Sequence, residues 1–166
     1  MIFKKNNHTD NLYNILLILS RNKLFYEKIK LSDSFETRIY LMFFHFSIIL
    51  KIFKKKNKKF DQGNYDFLFH NIENNLRELG FGDVSVNKKM KDLNKILYDI
   101  LLKFEKENTT DTFDINSLLI LKYFNELNNE KGKELSIFNE YFSAFFNFCF
   151  ELPLESMIRD SIKFKF

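Results

Sequence analysis

The chain has 166 residues, a formal net charge of +4 and a pI near 9.0, with one cysteine, one proline, four glycines and 22 phenylalanines. That length buries a continuous core within one domain, residues 1–166, and the lone Cys149 excludes an intrachain disulfide and any Cys-x-x-Cys redox or metal pair, which fits a reducing compartment. The basic balance invites a nucleic acid or an anionic membrane as partner. Abundant Phe, Lys, Asn and Ile beside a single alanine, Ala144, are also what an AT-biased genome produces, so much of that excess carries no functional message.

Near the start, Lys4 and Lys5 precede an apolar run, Ile15 to Leu19, that is short, late and followed by Ser20-Arg21-Asn22. This is not a secretory leader, and a cytoplasmic location follows. The lack of a transit-type N-terminus points to a bacterial protein. Thr9 or Asp10 is placed to cap a first helix running to about Ser20, with Leu12, Ile15, Leu16 and Leu19 on one face. Residues 21–27 add another turn or two. Ser32-Asp33-Ser34 supplies N-cap residues for a long helix over Phe35–Lys55.

That helix organises the rest. Its apolar run from Ile39 to Leu50 and just beyond has Ile39, Met42, Phe43, Phe46, Ile49, Leu50 and Phe53 on one face, but Tyr40, Leu41, Phe44, Ile48 and Ile52 make the opposite face apolar too. A membrane span needs about 18 to 20 apolar residues, and this stretch carries His45 and Ser47. It reads as a core helix, with a second face against a partner or a lipid surface as the alternative. It passes into Lys51, Lys54, Lys55, Lys56, Lys58 and Lys59, either a solvated helix end or a membrane- or anion-facing surface.

After the Gly63 loop, residues 65–79 show a clean helical stripe (Tyr65, Leu68, Phe69, Ile72, Leu76 and Leu79) opposite a polar face that includes Glu73, Arg77 and Glu78. Gly80 is placed for a left-handed C-cap. Residues 81–86 form a tight corner in which Asp83 ties the turn by accepting backbone N–H groups, and Asn87 caps the next helix. Gly80-Phe81-Gly82-Asp83 is a fragment of a phosphate loop only in appearance, because it follows a helix and lacks a third Gly and a Lys-Ser or Lys-Thr pair. Lys88, Lys89 and Lys91 would then crowd a first turn, where cations are unfavourable unless an anionic partner compensates. A helix over residues 113–127, capped by Asp111 or Thr112, and a last helix over 134–150 complete the chain, with Pro153 ending it. The last helix carries more aromatics than one face needs, so either core packing or an exposed client-binding patch uses them. The fold class is all-α: an irregular single-domain bundle of about six helices around a central apolar helix.

No catalytic constellation is apparent. His45 could ligate a metal or haem or act as an acid or base, but a lone His on an apolar helix is more often a hydrogen-bonded core residue, and His8 and His70 stand at no metal-ligand spacing to it. No cofactor, metal or enzymatic activity is expected.

Leu76-Arg77-Glu78-Leu79-Gly80-Phe81-Gly82-Asp83-Val84-Ser85-Val86, followed by Lys88-Lys89-Met90-Lys91, resembles the ubiquinol-cytochrome c chaperone family, whose hallmark is Leu-Arg-Glu-Met-Gly-Val-Gly-Asp running into a basic helix start. Leu12-Tyr13, Arg21, Phe25-Tyr26, Asp33, Arg38 and His45 stand in the family's order, so the resemblance covers about residues 12–98. The chain departs from it in reading Ser32-Asp33-Ser34 for Pro-Asp-Thr and Thr37-Arg38-Ile39 for Gly-Arg-Phe. The resemblance implies a helical, non-enzymatic assembly factor of the cytochrome bc complex, peripheral at the inner membrane. Its partners would be newly made cytochrome b, a small assembly partner protein, the ribosome and the membrane surface, with no DNA. Arg77, Glu78, Gly80, Gly82 and Asp83 would then build a rigid corner that positions Lys88, Lys89 and Lys91 for the client, with Arg38 and His45 supporting the same face. The alternative is a basic membrane- or RNA-binding helical protein without a cytochrome client.

Overall fold

The computed structural model describes residues 11–105, 113–128 and 132–166. Taken in order, the first helices are α1 (Leu12–Ser20) and α2 (Lys23–Glu27), each started by an asparagine: Asn11 accepts the Tyr13 amide at 2.8 Å and Asn22 the Leu24 amide at 3.0 Å. Thr9 and Asp10, the expected caps, lie outside the described residues. The central helix α3 (Phe35–Lys55) has the bounds its sequence marks, with the Ser34 hydroxyl accepting the Thr37 amide and Lys54 and Lys55 at its carbonyl end.

Every α3 side chain from residue 41 to 49 is buried, so the helix is apolar all round because it is surrounded. α1 packs along it, and α5 and α7 close other sides. Among the described residues no helix is long and apolar enough to cross a membrane.

Two helices begin earlier than the hydrophobic stripe suggests. α4 (Gln62–Glu78) starts at Asp61, whose carboxylate accepts the Asn64 amide at 3.2 Å. α5 (Asp83–Lys103) starts at Gly82, so Val84-Ser85-Val86 and Asn87 lie inside a helix and Asn87 is not its cap. The corner is therefore only residues 79–82, and Leu79, expected on the apolar face of α4, is instead its exposed C-cap, because the helix stops at Glu78.

α6 (Ser117–Tyr123), capped by Asn116, is shorter than expected, and a 3-10 turn at Asn125–Leu127 follows it; Asp111 and Thr112 lie outside the described residues. α7 (Lys133–Phe150) ends before Pro153, which then opens a further helix, α8 (Leu154–Asp160), and a 3-10 turn at Ser161–Lys163. The described residues thus hold eight α-helices rather than about six, and one isolated β-bridge, Glu105 with Ile115.

Most of the surplus aromatics of α7 are spent inside, the exposed Phe150 at its end excepted. Phe138, Tyr141, Phe142 and Phe145 are fully buried with Phe25, Phe44, Phe104 and Phe124. Several pairs meet edge to face, among them Phe44 with Phe104 at 5.5 Å and with Phe124 at 5.2 Å between ring centres, a geometry worth about 1 kcal/mol beyond area burial. Met42 is buried as well, so an exposed patch built from it and the α7 aromatics does not exist.

Candidate functional site

The α4–α5 corner is built by a helix stop and a helix start with only the four residues 79–82 between them. Gly80 takes φ +96°, its amide donates to the Arg77 carbonyl at 3.0 Å, and the Phe81 amide donates to the Leu76 carbonyl at 3.3 Å. This paired closure satisfies the last carbonyls of α4 and needs a residue that tolerates the left-handed region. Asp83 then occupies the first turn of α5, where a negative charge suits the helix dipole.

Asp83 ties the corner differently from expectation: its carboxylate pairs with the Arg77 guanidinium, which also donates to Glu73 at 3.1 Å. These two carboxylates push the Arg77 pKa further up. Lys88, Lys89 and Lys91 are not in the first turn of α5, so the expected conflict with the helix dipole is absent. The Lys89 ammonium sits 4.6 Å over the Phe81 ring instead.

What the corner presents is apolar. Leu79 is 56% exposed, Phe81 38% and Val84 86%, three large hydrophobic side chains around one turn, with Lys88 and Lys91 exposed beside them. No packing requirement inside the molecule keeps such groups in water, and clustered exposed hydrophobes of this kind mark contact surfaces.

Behind the corner, α1, α3 and α4 enclose a cleft of about 270 Å³ into which Arg38 and Glu78 both reach, with Ile39 and Met42 at its floor. Asn75 donates to the Tyr13 hydroxyl across it at 3.1 Å. Burial raises the Tyr13 pKa, and the Glu78 carboxylate adds to the rise. A second hollow of about 290 Å³ continues past Arg21 and Arg38 to Tyr26 and Asp33. There the Arg38 guanidinium holds Asp33 Oδ1 from Nε at 2.9 Å and from Nη2 at 2.6 Å.

His45 does not join this face. It lies on α3 two turns beyond Arg38, fully buried between α2 and α7. Its Nδ1 is 2.7 Å from the Leu41 carbonyl, so it donates there, and its Nε2, 2.8 Å from the Tyr141 hydroxyl, accepts. Burial lowers its pKa to about 3, with the bond to Leu41 opposing. A client cannot touch it without opening the core. Among the described residues no group of three or more His, Cys, Asp and Glu side chains could hold a metal ion.

The lysines at the end of α3 and just beyond it divide into two sets. Lys51 is paired with Glu105 at 3.1 Å, and burial lowers its pKa against that carboxylate. Lys56 donates to the Phe150 and Leu152 carbonyls at 2.7 and 3.1 Å, closing the C-terminus of α7, a role the charge run alone conceals. Lys54, Lys55, Lys58 and Lys59 remain exposed, with Lys55 over the Phe146 ring at 5.1 Å.

The structure thus groups Arg38 with Glu78 in the cleft, places Arg77, Gly80, Gly82, Asp83 and Lys89 at the corner beside it, and leaves His45 out. Sequence reasoning missed Arg21 as a cleft residue, because its side chain meets α3 only in the fold. No curated protein and no solved structure matches the chain. A family model does, over residues 27–118, a segment that holds α3, α4, the corner and α5 and leaves out α1, α7 and α8. With the corner string inside the matched segment, the chain belongs to the ubiquinol-cytochrome c chaperone family.

Proposed function

We propose that this chain assists assembly of the ubiquinol–cytochrome c reductase complex by holding newly made cytochrome b, covering its apolar segments until partner subunits bind and then releasing it without nucleotide chemistry. Family membership supports the chaperone role. The observation that carries the choice of working face is the exposed Leu79, Phe81 and Val84 on a corner stiffened by the Arg77–Asp83 pair and the Gly80 closure. Such a face suits an apolar client segment, while Lys88 and Lys91 beside it suit the acidic or headgroup-facing ends of that segment.

In this reading Lys54, Lys55, Lys58 and Lys59 face the anionic inner membrane, or ribosomal RNA, and keep the protein near the site of client insertion. They lie beyond the N-terminus of α4 and the corner lies at its C-terminus. The helix has 17 residues, so the two surfaces stand about 25 Å apart and can be occupied together.

Deletion of the gene with complementation tests the proposal. The account expects loss of assembled complex, read as the haem b absorbance of membranes, restored by the wild-type chain and restored poorly by Val84→Asp or Phe81→Asp. Normal complex levels in the deletion strain would contradict it. The second reading, a basic surface binder without a cytochrome client, rests on the four exposed lysines. It predicts that their replacement abolishes function while the corner substitutions are silent.

A further inference from the structure

Arg21 stands at the C-terminal end of α1 and lines both hollows of the α1–α3–α4 cleft. Arg38 is already held by Asp33, and Arg77, on the far side of α4's last turn, by Glu73 and Asp83. Among the described residues no carboxylate lies within ion-pair distance of Arg21. The two hollows share Arg21 and Arg38 in their linings, the first over a floor of Ile39 and Met42, so between them stand one guanidinium held by Asp33 and one, solvent-exposed Arg21, with no carboxylate partner among the described residues.

We propose that this cleft is a carboxylate-binding site that takes an Asp or Glu side chain of a protein segment, with Arg21 as its principal ligand and Arg38 and Asn75 as flanking donors. The charge count selects the ligand class. Asp33 is spent on Arg38 and Glu78 lines the first hollow, so any anion meets Arg21 against some carboxylate repulsion, which a singly charged carboxylate feels less than a doubly charged phosphate. A concave site between three helices suits a projecting side chain and not a flat bilayer of headgroups. The inference deepens the chaperone reading by naming what it recognises, and rests on that reading only for the source of the segment.

The test is a titration of the purified chain watched at the arginine Nε–H resonances, of which there are four: Arg21, Arg38, Arg77 and Arg159. The probes are acetyl-Leu-Glu-Leu-amide, its Gln counterpart and inorganic phosphate. The Glu peptide should shift Arg21 and Arg38 and leave Arg159 in place, and should bind about tenfold tighter than the Gln peptide. Phosphate should bind no tighter than the Glu peptide. Arg21→Gln should erase the preference for Glu over Gln with an unchanged melting temperature, and Arg21→Lys should retain part of it. The proposal is overturned if Arg21 is unmoved at about 10 mM peptide, if Arg159 responds equally, if Glu and Gln peptides bind alike, or if phosphate binds tighter. The titration needs no cytochrome complex. Its failure would leave the complementation result standing, and a failed complementation would leave the carboxylate site standing.

Discussion

Protonating His45 would put a proton on Nε2, which already accepts the Tyr141 hydroxyl inside a fully buried shell. Its folded pKa of about 3 lies below the ordinary value of 6.5, so the unfolded chain takes up the proton first as pH falls. The stability it contributes is complete above about pH 6.5 and is lost through the window down to pH 3, with a slope approaching about 1.4 kcal/mol per pH unit. Urea unfolding between about pH 7.5 and 4.5, above the ordinary carboxylate range, should show this slope in the wild type and not in His45→Gln. A second residue-scale prediction concerns Gly80. Its φ of +96° makes Gly80→Ala cost about 1 kcal/mol by denaturant melt. Gly82, at φ −74° with nothing within 4 Å of an added Cβ, should tolerate alanine better. The Gly80 stop was legible because a C-cap glycine is a local signal. The burial of His45 was half legible: its helix was apolar all round, but Tyr141, its partner, is 96 residues away.

At the scale of elements, helix starts were misjudged where capping chemistry preceded the apolar stripe. Asp61 starts α4, and Gly82 with Asp83 starts α5, before either stripe begins, so Asn87 and the Val84-Ser85-Val86 run looked like boundary features though they lie within α5. Pro153 was read as an end, and it is also the beginning of α8, whose seven residues are too few to show a period. The long α3 was legible to the residue because a Ser cap, an apolar run interrupted only by His45 and Ser47, and a lysine end agree. Lys56 is the cation that closes α7, so Lys56→Ala should destabilise the fold by about 0.5 to 1 kcal/mol, while Lys58→Ala should leave the melting temperature unchanged. Equal effects of the two would mean that Lys56 is as solvated as its neighbours.

On the whole-molecule scale, the proposed function requires a lysine end and an apolar corner that can be occupied together, and the two lie at opposite ends of α4. Binding to vesicles containing anionic lipid should fall steeply between low and physiological ionic strength and drop further when Lys54, Lys55, Lys58 and Lys59 are replaced by alanine, at about 1 kcal/mol per lysine. Substitutions at Leu79 or Val84 should leave it unchanged. Which helices pack around α3 was not legible, because α1, α5 and α7 all carry stripes that would serve. The cleft was not legible either, since it exists only where three helices meet. The measurement that tests the central claim most directly places a photo-crosslinking residue at Val84 in one strain and at Lys59 in another, and asks by mass spectrometry what each captures during synthesis of the respiratory complexes. The account predicts cytochrome b at Val84, persisting in moderate salt, and little or none at Lys59. Capture of cytochrome b at Lys59 alone, or of no cytochrome at either position, would contradict it.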